Sequence, residues 1–420
     1  MSSTNPSAIH VCETAAELIR PLGPQERLFY HCGEDHPAHF SIVAEFDAIL
    51  HAREVEGALA EVQKRHPLLS VHVTGAPATR LGFYRAPRTA PIPLLVRERC
   101  QWQSCAAEEL ARPFDRSTAP LMRAVLVKGP SQSAVLLTFD HTIADEVSST
   151  MIVRDLLAAL NGRSLDALAV PPHQEIMLAR ALASGSAVAT LEQPETAPRI
   201  PAPAFARPYD GTAPYLHSVA MSAAWTGRLL ARCQIEDSTV HAALVTAACR
   251  IRGQRLGEDS IHVLSPIDVR SLIGAGDDCA SYSSFAVTSV TPRDGSLFWN
   301  QARTTGAQLA EAGSAPRVLA NSTAVTRSSG VHAGTEALFA PARPFDMVIS
   351  NLGVHDLGEA GPIRPRALWT PVLGRPIANG VGIGATTFDG VLRMVASGYA
   401  PTTEFLEAVA GTLRTATQLR

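Results

Sequence analysis

Eight prolines (Pro171, Pro172, Pro194, Pro198, Pro201, Pro203, Pro208 and Pro214) fall within residues 161–215 of this 420-residue chain. Proline fixes φ and lacks a backbone N–H, so no long helix or central strand passes through such a stretch. Its densest part, QPETAPRIPAPAFARP, reads as an extended, partly polyproline-like linker. The chain is thereby divided into an N-terminal lobe over 1–165, a Pro-rich linker over 166–214 and a C-terminal lobe over 215–420. Each flank is of ordinary domain size, and a hydrophobic content of 46% is ample for two cores.

Strand and helix patterns mix on both sides. REVEGALAEVQKRHPLL (53–69) places Val55, Leu59 and Val62 at helical spacing and is stopped by Pro67. LMRAVLVKG (121–129) and SAVLLTFD (133–140) are apolar and β-branched, with Gly129-Pro130 between them, and read as an antiparallel hairpin. DEVSSTMIVRDLLAALNG (145–162) follows as a helix with Asn161-Gly162 as its stop. Beyond the linker, YLHSVAMS (215–222), SSFAVTSVTP (283–292), DMVISNLG (346–353) and ATTFDGVLRMVASGY (385–399) read as strands. DSIHVLSPIDVR (259–270) reads as a strand ending at Pro266. STVHAALVTAACRIRG (238–253) reads as a helix capped by Ser238, and TEFLEAVAGTLRTATQL (403–419) as an amphipathic closing helix. The regular alternation of a doubly wound fold is missing, so the expected class is α+β in two lobes.

Composition removes several function classes. A net charge of -3 gives no electrostatic case for nucleic acid. Lysine occurs only at Lys64 and Lys128, which we ascribe to GC-rich coding rather than to function. The odd, scattered set Cys12, Cys32, Cys100, Cys105, Cys233, Cys249 and Cys279 forms no CxxC pair, which disfavours zinc-ribbon and redox motifs and suits a reducing cytoplasm. Cys100 and Cys105 read as too isolated for a metal site. MSSTNPSAIH carries no visible signal peptide, and no run approaches the roughly 18 apolar residues of a membrane span. A cytoplasmic protein is expected.

The chemistry concentrates in AVLLTFDHTIADEVSS (134–149). An apolar run ends at Asp140-His141, and Asp145 follows four residues after the histidine. Neutral imidazole takes a proton near pH 7 and suits a general base. Asp145 opens a helix, where a carboxylate is favoured, and either orients His141 or pairs with an arginine. Alone, this spacing is weak: a strand-end histidine beside a capping aspartate explains it better than catalysis does. A metal site from His141, Asp145 and Glu146 lacks a further ligand, and no G-x-S-x-G elbow marks a serine hydrolase. HCGEDHPAH (31–39) brings His31, His36 and His39 onto a polar loop as a second metal candidate. His241, on an apolar helix, reads as a core or interlobe residue.

Further segments stand in a telling order: RPLGPQERLFY (20–30), RHPLLSVHV (65–73), FDRSTAPLMRAVLVK (114–128), DHTIADE, SPIDVRSLI (265–273), VISNLG (348–353) and TTFDG (386–390). Over nearly the whole chain this resembles the condensation-domain and BAHD acyltransferase superfamily, which includes chloramphenicol acetyltransferase. Length and order are most similar to polyketide-associated acyltransferases of the phthiocerol dimycocerosyl transferase type. The resemblance implies two chloramphenicol-acetyltransferase-like lobes with a substrate tunnel between them. It implies His141 as the base that deprotonates an acceptor hydroxyl or amine for attack on an acyl-CoA or acyl-carrier-protein thioester. No metal or redox cofactor is implied; the thioester on CoA or phosphopantetheine is the donor substrate. Asp145 and Arg270 are implied to form a structural ion pair. The implied partners are the thioester, the acceptor and an acyl carrier protein, and a monomer is the default.

Two residues depart from the family pattern. Asp140 replaces the first histidine of the usual pair, and Glu146 replaces a glycine. Glu146 either lines the tunnel and alters the acceptors that fit, or is a solvated side chain in the first helical turn. Asn351, Thr386 and Thr387 carry donors suited to an oxyanion or to the tunnel, though each also suits a turn or strand end. The leading expectation is ester formation on a polyketide or other specialised metabolite. Amide formation by a free-standing condensation enzyme is the nearest alternative. A degenerate binding module, or a dehydration or cyclisation catalyst, is the third.

Overall fold

The computed structural model describes residues 16–35, 37, 39–75, 81–86, 88–184, 209–329, 345–358, 361–372 and 379–418. The N-terminal part runs β1 (Glu17–Pro21), α1 (Pro24–Asp35), β2 (His39–Phe46), α2 (Ala52–Arg65), β3 (Val71–Thr74), β4 (Gly82–Arg85), β5 (Leu94–Glu98), α3 (Trp102–Ala111), β6 (Met122–Lys128), β7 (Ser133–Asp140), α4 (Glu146–Leu160) and α5 (Gln174–Ala183). The C-terminal part runs β8 (Tyr215–Met221), α6 (Ala223–Ile235), α7 (Val240–Leu256), β9 (Ile261–Asp268), α8 (Arg270–Ile273), β10 (Ser283–Val290), α9 (Phe298–Ala312) and α10 (Ala315–Ser329). It closes with β11 (Met347–His355), β12 (Pro365–Trp369), β13 (Val381–Phe388), β14 (Val391–Gly398) and α11 (Thr403–Ala416).

Two large mixed sheets result, in the orders β12-β2-β7-β6-β5 and β10-β9-β11-β13-β14-β8, beside a small β1-β4-β3 sheet. The hairpin read from the sequence forms β6 and β7, antiparallel from Met122 opposite Phe139 to Lys128 opposite Ser133. β7 is buried along its whole length, which its unbroken apolar run requires. α2 buries Val55, Leu59 and Val62, the stripe its spacing predicted, at about 1.5–3 kcal/mol for each side chain. In the second sheet, β13 and β14 form a hairpin around Asp389 and Gly390, both at positive φ (50° and 68°). Asp-Gly favours this turn because glycine carries no Cβ penalty there.

Some sequence expectations shift. Residues 259–268 do not end at Pro266: β9 runs on to Asp268. β11 pairs with β9 only at Val263 and Leu264, so a residue lacking an N–H is tolerated beyond that point. The cap of α7 is Thr239, whose hydroxyl accepts from Ala242 N, rather than Ser238. The helix then runs to Leu256, where Gly257 adopts φ 72°. Within 166–214, read as a linker, Gln174–Ala183 forms α5, and Pro171 and Pro172 are docked. The Pro171 carbonyl accepts from Arg20 Nε (2.8 Å) and the Pro172 carbonyl from the Tyr282 hydroxyl (2.6 Å). QPETAPRIPAPAFARP lies outside the described residues.

The division at 215 is also crossed by at least two segments among the described residues. β12 leaves the C-terminal part and pairs antiparallel with β2, Trp369 opposite Val43. Val269, Ile273, Cys279, Ala280 and Tyr282, around α8, pack into the core of the first sheet. Both excursions bury apolar side chains against residues of the N-terminal part. They bring C-terminal residues to the end of β7, where the candidate site lies.

Candidate active site

β7 ends at Asp140, and the chain turns over His141–Ile143 before α4 begins. Asp140 makes this turn. Its Oδ1 accepts from Thr142 N (2.9 Å) and Thr142 Oγ1 (2.7 Å), and its Oδ2 accepts from Arg116 Nε (2.7 Å). Arg116 also donates from Nη1 to the Tyr30 carbonyl on α1 (3.2 Å). It lies so close to Gly33 that a Cβ there would sit 1.7 Å from its Nη2. The residue that replaces the family's first histidine therefore ties α1 to the turn.

α1 and β2 in turn fix the imidazole. Phe29 stacks on His141 at 4.5 Å between ring centroids and 11° between planes, and Phe40 lies at 4.5 Å and 38°. Phe40 is bridged on its backbone to Val372, just past β12, so the returning segment also borders the site. His141 Nδ1 lies 3.2 Å from the Ala144 carbonyl. A carbonyl only accepts, so Nδ1 carries the proton, and the neutral ring keeps its lone pair on Nε2. The side chain is 18% exposed, held in orientation yet accessible.

Asp145 is the N-cap of α4, and both its oxygens are occupied. Oδ1 accepts from Ser148 N (2.8 Å), Ser148 Oγ (2.8 Å) and Arg270 Nη2 (2.9 Å), while Oδ2 accepts from Arg270 Nη1 (2.8 Å) and Tyr282 N (2.8 Å). The sequence left open whether Asp145 orients His141 or pairs with an arginine; the geometry is the latter, bidentate and buried. Burial alone would raise the Asp145 pKa, but the Arg270 charge and the hydrogen bonds outweigh it and hold the carboxyl below its ordinary value. Arg270 also bonds Asp268 Oδ1 (2.9 Å) and the Ala280 carbonyl (3.1 Å), so this knot joins α4 to the excursion from the second lobe.

Glu146 is buried rather than solvated, which settles one of its two sequence readings against the exposed one. Its Oε1 stands 3.8 Å from His141 Nε2, the nitrogen with the free lone pair. Desolvation raises its pKa, and the nearby imidazole only partly offsets this.

The oxyanion candidates separate. Ile383 and Ala385 face the core of the second lobe, so by strand alternation Thr387 faces it too, opposite Leu392 of β14. Gly384 and Thr386 point the other way, toward the returning segment: a Cβ on Gly384 would lie 1.7 Å from the Thr370 carbonyl oxygen. Thr386 Oγ1 there is buried and lacks a hydrogen-bond partner among the described residues, as does Thr370 Oγ1. Asn351 spends its Oδ1 on Gly353 N (3.0 Å) at a bulge in β11, the turn role weighed from the sequence.

The remaining candidates do not converge. His31 lies on α1 and pairs with Glu34. His39 starts β2, donates from Nε2 to the Glu109 carbonyl (2.8 Å) and is pushed down to about 3 by burial. The stretch read as a polar loop is thus partly helix and partly strand, and His36 lies outside the described residues. His241 is half-buried, with Nε2 2.9 Å from Ser265 Oγ, and desolvation lowers it to about 4. Cys100 and Cys105, read as isolated, meet at 3.3 Å between Sγ atoms across the first turn of α3. Among the described residues, no group of three or more His, Cys, Asp or Glu is placed to hold a metal ion, and no helix is long and apolar enough to cross a membrane. Phe29, Phe40, Arg116 and Tyr282 were missed from the sequence as site residues. The first and third lie in segments already singled out (RPLGPQERLFY and FDRSTAPLMRAVLVK).

Comparison with known proteins agrees with this architecture. The family model "Condensation domain" matches residues 22–270. A plipastatin synthase chain of Bacillus subtilis (strain 168) is 31% identical over 155 residues, 36% of this chain and 6% of that one, so the protein spans only a small part of that relative's length. Polyketide synthase associated protein 5 from Mycobacterium tuberculosis superposes with a TM-score of 0.68 at 16% identity, over 96% of this chain and 99% of that one. The condensation domain of Monacolin K polyketide synthase superposes with a TM-score of 0.66 at 14% identity, over 96% and 98%. At these identities the structural likeness shows the fold, two chloramphenicol-acetyltransferase-like lobes. The family match covers more than half of the sequence, and with it the turn that carries His141. This chain belongs to the condensation-domain family, whose members typically form acyl or amide bonds in nonribosomal-peptide and polyketide assembly.

Proposed function

We propose that this protein is an acyltransferase that moves an acyl group from a CoA or carrier-protein thioester to a hydroxyl of a polyketide or other specialised metabolite. His141 is its general base. The observation that carries the reading is the tautomer: Nδ1 is committed to the Ala144 carbonyl, so Nε2 presents a lone pair at an accessible turn between two aromatic rings. In this reaction the acceptor hydroxyl gives its proton to Nε2 as its oxygen attacks the thioester carbonyl. The C–S bond then breaks, and the departing thiolate takes the proton from the imidazolium. A thioester is already activated, so one base with positioning is sufficient, and no metal or redox cofactor or covalent enzyme intermediate is needed. Asp145 and Arg270 hold the turn without entering the chemistry. Thr386 Oγ1, unpartnered on the face of β13 toward the returning segment, and the Nδ2 donor of Asn351 are favoured as oxyanion donors over Thr387, which faces the core.

An amine acceptor is the second reading, and Glu146 favours it. After giving one N–H to Nε2, an amine retains another for the carboxylate 3.8 Å away, whereas a hydroxyl has none left. Incubation with a panel of acyl-CoA and acyl-carrier-protein thioesters and matched alcohols and amines, read by mass spectrometry, tests both. Ester products support the first reading and amides the second. Intact thioester with every acceptor points instead to a binding module.

A further inference from the structure

We propose that Glu146 is a proton-linked partner of His141, its carboxylate charge setting the basicity of the imidazole that the proposed acyl transfer uses. This rests on the reading of His141 as base, and it concerns a position where the family pattern has a glycine.

Most of the charges near the imidazole are already spent. Asp140, next to His141, is bound by Arg116, and Asp145 is bound in bidentate fashion by Arg270, which also holds Asp268. Glu146 is different. Its described contacts are its own backbone N–H and the imidazole, and no guanidinium neutralises it at contact distance. The charged groups that bear on it are His141, Asp145 and Arg270, and the last two largely cancel each other. Phe29 stacks on the imidazole and Phe40 packs against it at a tilt, and neither carries a charge. The carboxylate lies on the Nε2 side of the ring.

A separation of 3.8 Å is too long for a direct hydrogen bond, and an ionised carboxylate only accepts, so the lone pair of Nε2 stays free. The carboxylate is close enough to stabilise an imidazolium strongly where water is scarce. Protonation of either group therefore changes the charge that the other faces. Burial moves the Glu146 titration upward. Glu146 acts through His141 and is a positioning residue in this sense.

Histidine-selective NMR titration of the whole chain tests this without any substrate. His141 resonances are identified by their loss in His141→Gln. The wild type should show two inflections at His141, one from each group. In Glu146→Gln one inflection should vanish and the remaining midpoint should move to lower pH, because the imidazolium has lost its counter-charge. Glu146→Asp, which keeps the charge on a shorter arm, should restore the second inflection. A single inflection with the same midpoint in wild type and Glu146→Gln would overturn the proposal. The outcome is independent of the transfer assay. Activity surviving in His141→Ala would instead break the reading of the site while leaving the coupling intact.

Discussion

Asp145 and Glu146 are neighbours in sequence, both buried, both at the head of α4, and their surroundings are opposite. Asp145 receives five hydrogen bonds from Ser148, Arg270 and Tyr282, and its pKa is held low despite burial. Glu146 faces an imidazole at 3.8 Å, and burial drives its pKa up. One carboxylate is bound so completely that it can only hold structure. The other is left responsive at a cost in desolvation, as is common where function and stability compete. Neither role follows from residue type or from position on the helix. Both follow from what the second lobe does or does not deliver to the carboxylate.

The contrast breaks most readily at Arg270. Arg270→Met leaves Asp145 buried without its counter-charge and should cost roughly 3–5 kcal/mol, read by chemical denaturation. Replacing both partners with apolar residues should cost less than the two single changes summed. A single-variant loss below about 1 kcal/mol, the range of an exposed pair, would show that the knot is not structural. Asp140→Asn should come next, at about 1.5–3 kcal/mol, because it weakens a charge-assisted bond that ties Arg116 and α1 to the turn. Unchanged stability would remove Asp140 from the scaffold.

Acid should then act in two stages. His39 and His241 are held neutral by burial, at about 3 and about 4, whereas in the unfolded chain they take protons near ~6.5. Their contribution is therefore complete above that value and is lost as pH falls toward the folded values. The Asp145 pair is complete above about pH 4, the unfolded aspartate value, and is lost only as pH falls further, through the depressed folded value. Denaturation midpoints should decline as pH falls from about 6.5 to 4, and His39→Gln should flatten the decline; an identical slope in that variant counts against the assignment. The smallest effect is expected at Glu146. Glu146→Gln should leave stability unchanged or raise it by about 0.5–1 kcal/mol, since it removes a desolvated charge. A clear loss of stability would place Glu146 among the structural carboxylates beside Asp145.

Much of this was legible in the sequence where local pattern decides. The β6–β7 hairpin and the stripe of α2 are local, and the turn bearing His141 stands at the end of an apolar run that must be a buried strand. What depends on distant contacts was not legible. β12 reads as part of the C-terminal half, yet its partner is β2, more than three hundred residues away. Thr386 and Thr387 are equivalent as letters, and only the facing of β13 separates them. Arg116 gives no sign in the sequence that it meets Asp140, because the space it occupies is created by Gly33 on another element. Pro266 misled because the early end of pairing on the β11 side of β9 is a property of the sheet, not of the dipeptide.

The proposed reaction turns on Nε2 of His141 taking the acceptor's proton. Single-turnover acyl transfer in His141→Ala is the decisive measurement, with the thioester and acceptor pair found active for the wild type and folding checked by denaturation. A rate loss of about 10²–10⁴-fold with unchanged stability is expected. Transfer at the wild-type rate in that variant would contradict the assignment of His141 as the base.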